Sequence, residues 1–419
     1  MVHTLIRKTI IATLVVFSAF ALVTAQRSQD ALMLLDNTET VVRYGLDSTG
    51  SWWAVTQPYE QFVNMYINGK RYGPYTSTTD PTFATDGSTW TFAAIRDLRA
   101  YVCTPAGERA IDAEEIVGVG FASQSPVPWV EYTISDVRTT TNGTQTYTTN
   151  DAIGPAMFDP AGLVVWHKAR RGTQIALVGN GVDEHVYDDI IMAGVWSDGR
   201  PVFAATGGTT WSVFIGEQEL VPNLQSVSDL KVNSFGTVLA FNASRSSAPI
   251  NSYMYTDDYR NPWTGPNLDV ANALVLSPCC DLVAVLGKVQ GGSSSVIFNS
   301  ASYPAGTQSS LPAFSFDGAH MAFLGNDGEG FVSMDGRRSI VKGGGSAAST
   351  SVAVAPTGRS VAWVSASTLV VYDILGEGLG MGKMCDSMGR DAIFNRSKNI
   401  YQALGVFGGR LFLLSSPAP

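Results

Sequence analysis

A short turn text recurs along this 419-residue chain at a nearly fixed interval, and no other feature constrains its fold as strongly. The text ends in glycine in "LDSTG" at Gly50, "FATDG" at Gly87, "FDPAG" at Gly162, "VWSDG" at Gly199, "VNSFG" at Gly236, "FSFDG" at Gly318 and "VAPTG" at Gly358. Degenerate copies fill the gaps, "FASQS" at Ser125, "LSPCC" at Cys280 and "FNRSK" at Lys398, so that ten anchors stand 37 to 44 residues apart. Self-similarity at this period is the mark of a repeat architecture, in which each copy is one supersecondary unit.

Four residues before each anchor stands a large apolar residue, from Leu46, Phe83 and Phe121 to Phe314, Val354 and Phe394, and this position is predicted to be buried. After the anchor the chain resumes with an apolar residue, often Ala, then another apolar one, as in Trp53-Ala54-Val55, Met321-Ala322-Phe323 and Val361-Ala362-Trp363. Consecutive apolar positions bounded by turn residues predict strands buried on both faces. Gly and Asp between them suit a tight hairpin that needs positive φ. A second hairpin text lies inside several copies, clearest in "YINGKRYG" from Tyr66 and "SMDGRRSIV" from Ser333. About 38 residues hold four short strands, the size of one propeller blade. Outside the N-terminus no segment keeps a 3.6-residue period for three turns, so helix should be scarce.

The expectation is therefore an all-β chain, a β-propeller of about ten blade-like repeats of roughly 38 residues. The last copy supplies three strands, near residues 392–395, 400–404 and 410–414, while "ALMLL" at residues 31–35 is a strand with no copy of its own. An N-terminal strand that completes the last blade would close the ring and remove two exposed edges. The alternative is two smaller propellers joined near the longest repeat, at residues 244–267.

The texts "FSFDGAHMAFLG", "FATDGSTWTFAAI" and "VAPTGRSVAWVS" resemble the WD40-like repeats of the TolB and PD40 type, with the pattern F-S-P-D-G-x-x-apolar-Ala-apolar, and the resemblance runs from residue 46 to about 415. This chain departs from the pattern often at its Pro and Asp, and three copies lack the Gly. The resemblance implies a propeller and no single activity, because that family spans translocation components, peptidase accessory domains and envelope proteins.

A net charge of −9 with no cluster of Lys and Arg argues against nucleic acid as a partner. Arg7 and Lys8 precede an apolar run from Thr9 to Val23, and "VTA" offers small residues before Gln26. Residues 1–25 thus read as a signal peptide and 26–419 as the repeat domain, secreted or periplasmic, with no membrane span after cleavage. At about 15 residues the run is short for a spanning helix, which needs roughly 20. Cys103, Cys279, Cys280 and Cys385 would then meet an oxidising compartment; they are too few for a disulfide framework, predict one pair or at most two, and match no zinc spacing.

Chemistry-bearing residues are sparse. His167 falls on a buried strand position, His320 follows a turn and should be exposed, and His185 stands in an acidic loop with Asp183, Glu184, Asp188 and Asp189. No GxSxG, HExxH, Walker or EF-hand text occurs. Glycine-rich residues 343–345 and 376–382 read as connectors, and Asn142, Asn242 and Asn395 head glycosylation sequons. Carboxylates recur in register: Glu39, Glu114, Asp151, Asp188 and Asp269 stand eleven residues before an anchor, and Asp80, Asp229 and Asp391 stand seven before. They are predicted to ring one mouth of the channel and to attract a cation or a basic surface. No cofactor is called for, and calcium is the ion such a ring would take. The leading function is an exported, non-enzymatic binding or scaffold protein presenting propeller loops to a protein or glycan partner. The alternative is a secreted hydrolase or lyase acting on polysaccharide or peptide, which needs paired carboxylates within about 10 Å over a pocket.

Overall fold

The computed structural model describes residues 30–35, 43–247, 249–257, 262–341, 351–365, 367–375, 378–381, 384–389 and 391–419. The proposed signal peptide, Glu39 and residues 343–345 lie outside them. The described residues form strands and turns with no helix. The strands fall into nine antiparallel sheets, most of them four-stranded and one eight-stranded. The eight-stranded sheet is two four-stranded parts joined by one pairing, Ile250 with Leu268, at the long repeat. Each anchor turn thus has its own set of strands, numbered here as units 1 to 10 in chain order. Successive four-stranded sheets, each a meander packed on the next, make this a β-propeller fold.

Unit 3 shows the pattern: Glu115–Phe121, Pro128–Ile134, Val137–Thr141 and Thr146–Asn150 pair in sequence order, and the anchor turn joins the first strand to the second. The anchor glycine takes φ from 62° at Gly358 to 89° at Gly199, a region that a side chain makes costly. In unit 8 the Gly318 N–H donates to Ser315 O, and Ser315 N–H donates across the turn to His320 O, both at 2.8 Å. The same two bonds recur around Gly50, Gly87, Gly162, Gly236 and Gly358. Both hairpin texts fold as read: Asn68-Gly69 and Asp335-Gly336 make two-residue turns with positive φ at each residue.

The expectation about the apolar position is corrected. Four before the anchor, only Val195 and Val354 are buried; the others, Phe314 among them, are half-buried at the end of the first strand. The position buried in all ten units is the next one, where Asp47, Ala84, Ala122, Asp159, Trp196, Asn233, Ser277, Ser315, Ala355 and Asn395 are 0–7% exposed. A polar residue is tolerated there because it closes the turn. Asp159 Oδ1 accepts the N–H groups of Leu163 and Val164 at 2.6 and 2.7 Å, and Asn233 Oδ1 accepts those of Thr237 and Val238. A buried polar group is stable only when it is paired in this way.

The core lies between sheets, where second and third strands of neighbouring units interdigitate. Units 5 and 6 share Val202, Ala204, Val213, Leu239 and Phe241; units 8 and 9 share Leu324, Val332, Val361 and Trp363. Unit 10 meets unit 1 in the same manner, with Leu404 and Leu411 against Val55 and Leu46. Its fourth strand is N-terminal: Asp30–Leu35 runs antiparallel to Arg410–Pro417, pairing Ala31 with Leu414 and Leu35 with Leu411. A Cβ on Gly50 would strike Gln402 and Asn395 of unit 10, as one on Gly87 would strike Thr49 of unit 1 and one on Gly318 would strike Cys280 of unit 7. Anchor turns also reach past their neighbours, since Ser123 Oγ donates to Ser234 O and Arg396 lies 3.5 Å over the Phe316 ring.

Two further expectations are corrected. Gly378–Met381, within the presumed connector, is the last strand of unit 9, paired with Leu369–Asp373. No disulfide joins the four cysteines: Cys103 is buried among units 1 and 2 and Cys385 among units 9 and 10.

Candidate functional site

A groove of about 540 Å³ lies between units 4 and 5. Unit 4 contributes Val164, Trp166 on strand Val165–Arg171 and His185 on strand Val182–Tyr187. Unit 5 contributes its anchor turn, Asp198 to Pro201, and the hairpin Gly216, Glu217 and Gln218. The seam is held by Trp166, whose Nε1–H donates to Gly199 O at 2.9 Å. The equivalent bond joins Trp52 to Gly87 O between units 1 and 2 at 2.7 Å. Gly199 is favoured by its φ of 89°, and a Cβ there would stand a tight 3.0 Å from the Val164 side chain.

Charge on the rim is ordered by one pair. Arg200 donates through Nε to Asp198 Oδ2 at 2.8 Å, and its N–H donates to Asp198 Oδ1 at 3.1 Å. The Arg200 hydrogen bond holds the Asp198 carboxyl below the usual carboxylate range, so it stays ionised. With side chains 38% and 49% exposed the pair contributes little stability. Glu217 is exposed, and His185 is half-buried. The lining thus mixes apolar Val164 and Trp166 with the polar Asp198, Glu217 and His185.

Of the residues singled out from sequence, His185 lines the groove. The side chains of Asp183 and Glu184 are outside the described residues. His167 is buried, as expected, with Nε2 3.1 Å from Thr140 Oγ1. His320 is half-exposed, and its Nδ1 is 2.7 Å from Asp335 Oδ2.

Glu114, Asp229 and Asp269 engage their own sheets, whereas Asp188 reaches back to the preceding unit. Glu114, Asp151 and Asp188 each stand just before the first strand of a unit, and Asp269 is the second residue of Leu268–Leu276. Glu114 accepts Ser135 N–H at 3.1 Å, Asp269 accepts Gly291 N–H at 3.3 Å, and Asp188 accepts from Gln174 at 3.3 Å. Asp386, which the register did not include, accepts Gly408 N–H at 2.7 Å in the same way. Asp229 accepts from Asn242 at 3.1 Å within unit 6. Asp80 and Asp391 are exposed between strand segments of units 2 and 10. Among the described residues no three His, Cys, Asp or Glu side chains gather to hold a metal ion, and no helix is long and apolar enough to cross a membrane.

Two sequons are closed: Asn242 and Asn395 are buried and hydrogen-bonded, to Ser252 and Gln402 among others, whereas Asn142 lies half-exposed in a turn.

The fold is a β-propeller with a groove between two of its sheets. No family model matches the chain, and no curated protein matches it. Solved structures do. The "Structure of Dos1 propeller" is 10% identical with a TM-score of 0.40, covering 94% of this chain and 96% of that one. The "Crystal structure of the eukaryotic initiation factor" is 7% identical with a TM-score of 0.49, covering 94% of this chain and 100% of that one. The Myceliophteria thermophila Cps50 (Swd1) β-propeller domain is 10% identical with a TM-score of 0.34, covering 92% and 99%.

Sequence reasoning missed Trp166, Asp198, Arg200 and Glu217. A signal was present for two of them, since Asp198 and Arg200 flank an anchor glycine whose turn is unusually charged, "WSDGRP".

Proposed function

We propose that the chain is an exported, non-enzymatic binding scaffold of the TolB and PD40 type, built as one ring of ten blades, and that the groove between units 4 and 5 takes a basic side chain of a protein partner. One observation carries the reading: Asp198, Glu217 and His185 line one groove with Trp166, and one guanidinium there, Arg200, is already committed to Asp198. The rim therefore holds one carboxylate in excess, in a chain whose net charge is −9. A propeller offers rigid sheets with loops at their ends, which suits recognition by side chains held in place. Because Arg200 keeps Asp198 ionised, Asp198 itself is poorly suited to act as a general acid.

Short lysine- and arginine-containing peptides are expected to perturb tryptophan fluorescence on binding, with affinity falling as salt rises. Glu217→Gln should weaken that binding about threefold, the effect of losing roughly 0.7 kcal/mol of an exposed charge interaction. Neutral oligosaccharides that bind better than the peptides, or peptide binding unchanged in Glu217→Gln, would overturn the reading.

A further inference from the structure

The turn of unit 7 ends on Cys279 and Cys280, where seven other units end on glycine. Both thiols are free, Cys279 is exposed and Cys280 half-buried, and their sulfurs lie 3.6 Å apart. They face the turn of unit 8. Cys279 Sγ lies 3.6 Å from Phe316 O, and Cys280 donates to Asp317 O at 3.2 Å. Gly318 makes room for them, since a Cβ there would come within 2.9 Å of Cys280 Sγ.

Two fates are open to adjacent thiols, and geometry separates them. A disulfide needs sulfurs about 2.05 Å apart and Cα atoms about 4.4–6.8 Å apart, whereas consecutive Cα atoms stand about 3.8 Å apart, so direct bonding is strained. Two sulfurs on one tetrahedral metal, each about 2.3 Å from it, stand about 3.8 Å from each other. The observed separation is close to that bite. We propose that Cys279 and Cys280 form a chelating dithiol site for a thiophilic d10 divalent cation of the zinc and cadmium class, at the seam between units 7 and 8.

Binding converts two thiols to thiolates and releases two protons, with no change of oxidation state. The carbonyl oxygens of Phe316 and Asp317 stand at the rim as weak further donors. Among the described residues no third His, Cys, Asp or Glu joins the pair, which leaves coordination positions for water or an exogenous ligand. While both thiols are protonated, affinity should rise about a hundredfold per pH unit, two protons being displaced.

The test is a titration of the reduced full chain with cadmium, read by sulfur-to-metal charge-transfer absorption. One equivalent should bind, with that pH dependence. Cys279→Ser and Cys280→Ser should each weaken binding by at least roughly tenfold, because chelation is lost, while Cys103→Ser and Cys385→Ser should not. Serine stands in the same turn at Ser125, so the variants are expected to keep the melting temperature of the parent. Binding that either single substitution leaves undiminished, an affinity that does not depend on pH, or peptide mapping that finds Cys279 and Cys280 disulfide-bonded in the purified chain under mild reductant would overturn the proposal.

Discussion

Removal of residues 1–35 is expected to make the chain aggregate on mild warming and to lower its melting temperature. Asp30–Leu35 covers the edge of Arg410–Pro417 from Ser415 to Leu411. Leu34 and Leu35 also pack beside Val55, Leu404 and Leu411, in the layer that joins unit 10 to unit 1. Each half-buried leucine contributes about 1 kcal/mol by area removed from water. The larger consequence is the edge. An uncovered strand bearing Leu411 and Leu413 presents a row of unpaired N–H and C=O groups to any other chain. Light scattering during a thermal ramp, beside the intact chain, measures the effect; identical curves would show that the N-terminal strand contributes nothing.

Glu131→Gln is expected to destabilise the fold by about 2–4 kcal/mol, toward the lower end of what breaking a buried pair costs because Arg138 keeps some contact with water. Glu131, on Pro128–Ile134 of unit 3, accepts from Arg138 at 2.8 Å and from Ala156 N–H of unit 4 at 3.1 Å. The Arg138 side chain is 17% exposed and that of Glu131 8%, so loss of the carboxylate leaves a largely buried cation. The imidazole of His167 faces the same pair, with Nδ1 3.7 Å from Glu131 Oε1 and no hydrogen-bond partner. Desolvation holds its pKa down; Glu131 opposes this, and Arg138 adds to it. The folded chain therefore keeps His167 neutral while the unfolded chain protonates it near pH 6.5. That stability is present above about pH 6.5 and is lost as pH falls below it, by up to about 1.4 kcal/mol per pH unit. Denaturant titrations of the parent and His167→Phe between neutral and mildly acidic pH isolate this contribution. A parent no more acid-sensitive than the variant would contradict the assignment.

The repeat was legible because its anchor glycines answer a backbone demand that few other residues meet, so they stay in the text. The position buried in every unit was not, because hydrophobicity is the wrong signal for it. Asp159, Asn233 and Ser315 are buried there as hydrogen-bond acceptors for their own turns, while Ala84 and Trp196 are buried as apolar groups. The acidic register is real as a sequence pattern, yet Glu114 and Asp269 spend their carboxylates on hairpin N–H groups some twenty residues onward in the same sheet. A pattern that repeats once per unit is as readily produced by a local structural need as by a shared site. The groove was half legible. His185 drew notice through its charged neighbours, but Trp166 and Glu217 come to it from different units, and nothing local in the sequence links them.

The account rests on the last unit meeting the first through the N-terminal strand, and a cross-link tests this directly. Leu32 and Leu413 are register partners, their side chains adjacent on one face of the pair. With the four native cysteines replaced by serine, Leu32→Cys combined with Leu413→Cys should oxidise to an intramolecular disulfide, with the linked peptides found together by mass spectrometry of the monomer. Leu32→Cys with Leu404→Cys, whose positions are not register partners, should not. Absence of the first link, or its appearance only between two chains, would contradict the closure of unit 10 by the N-terminal strand.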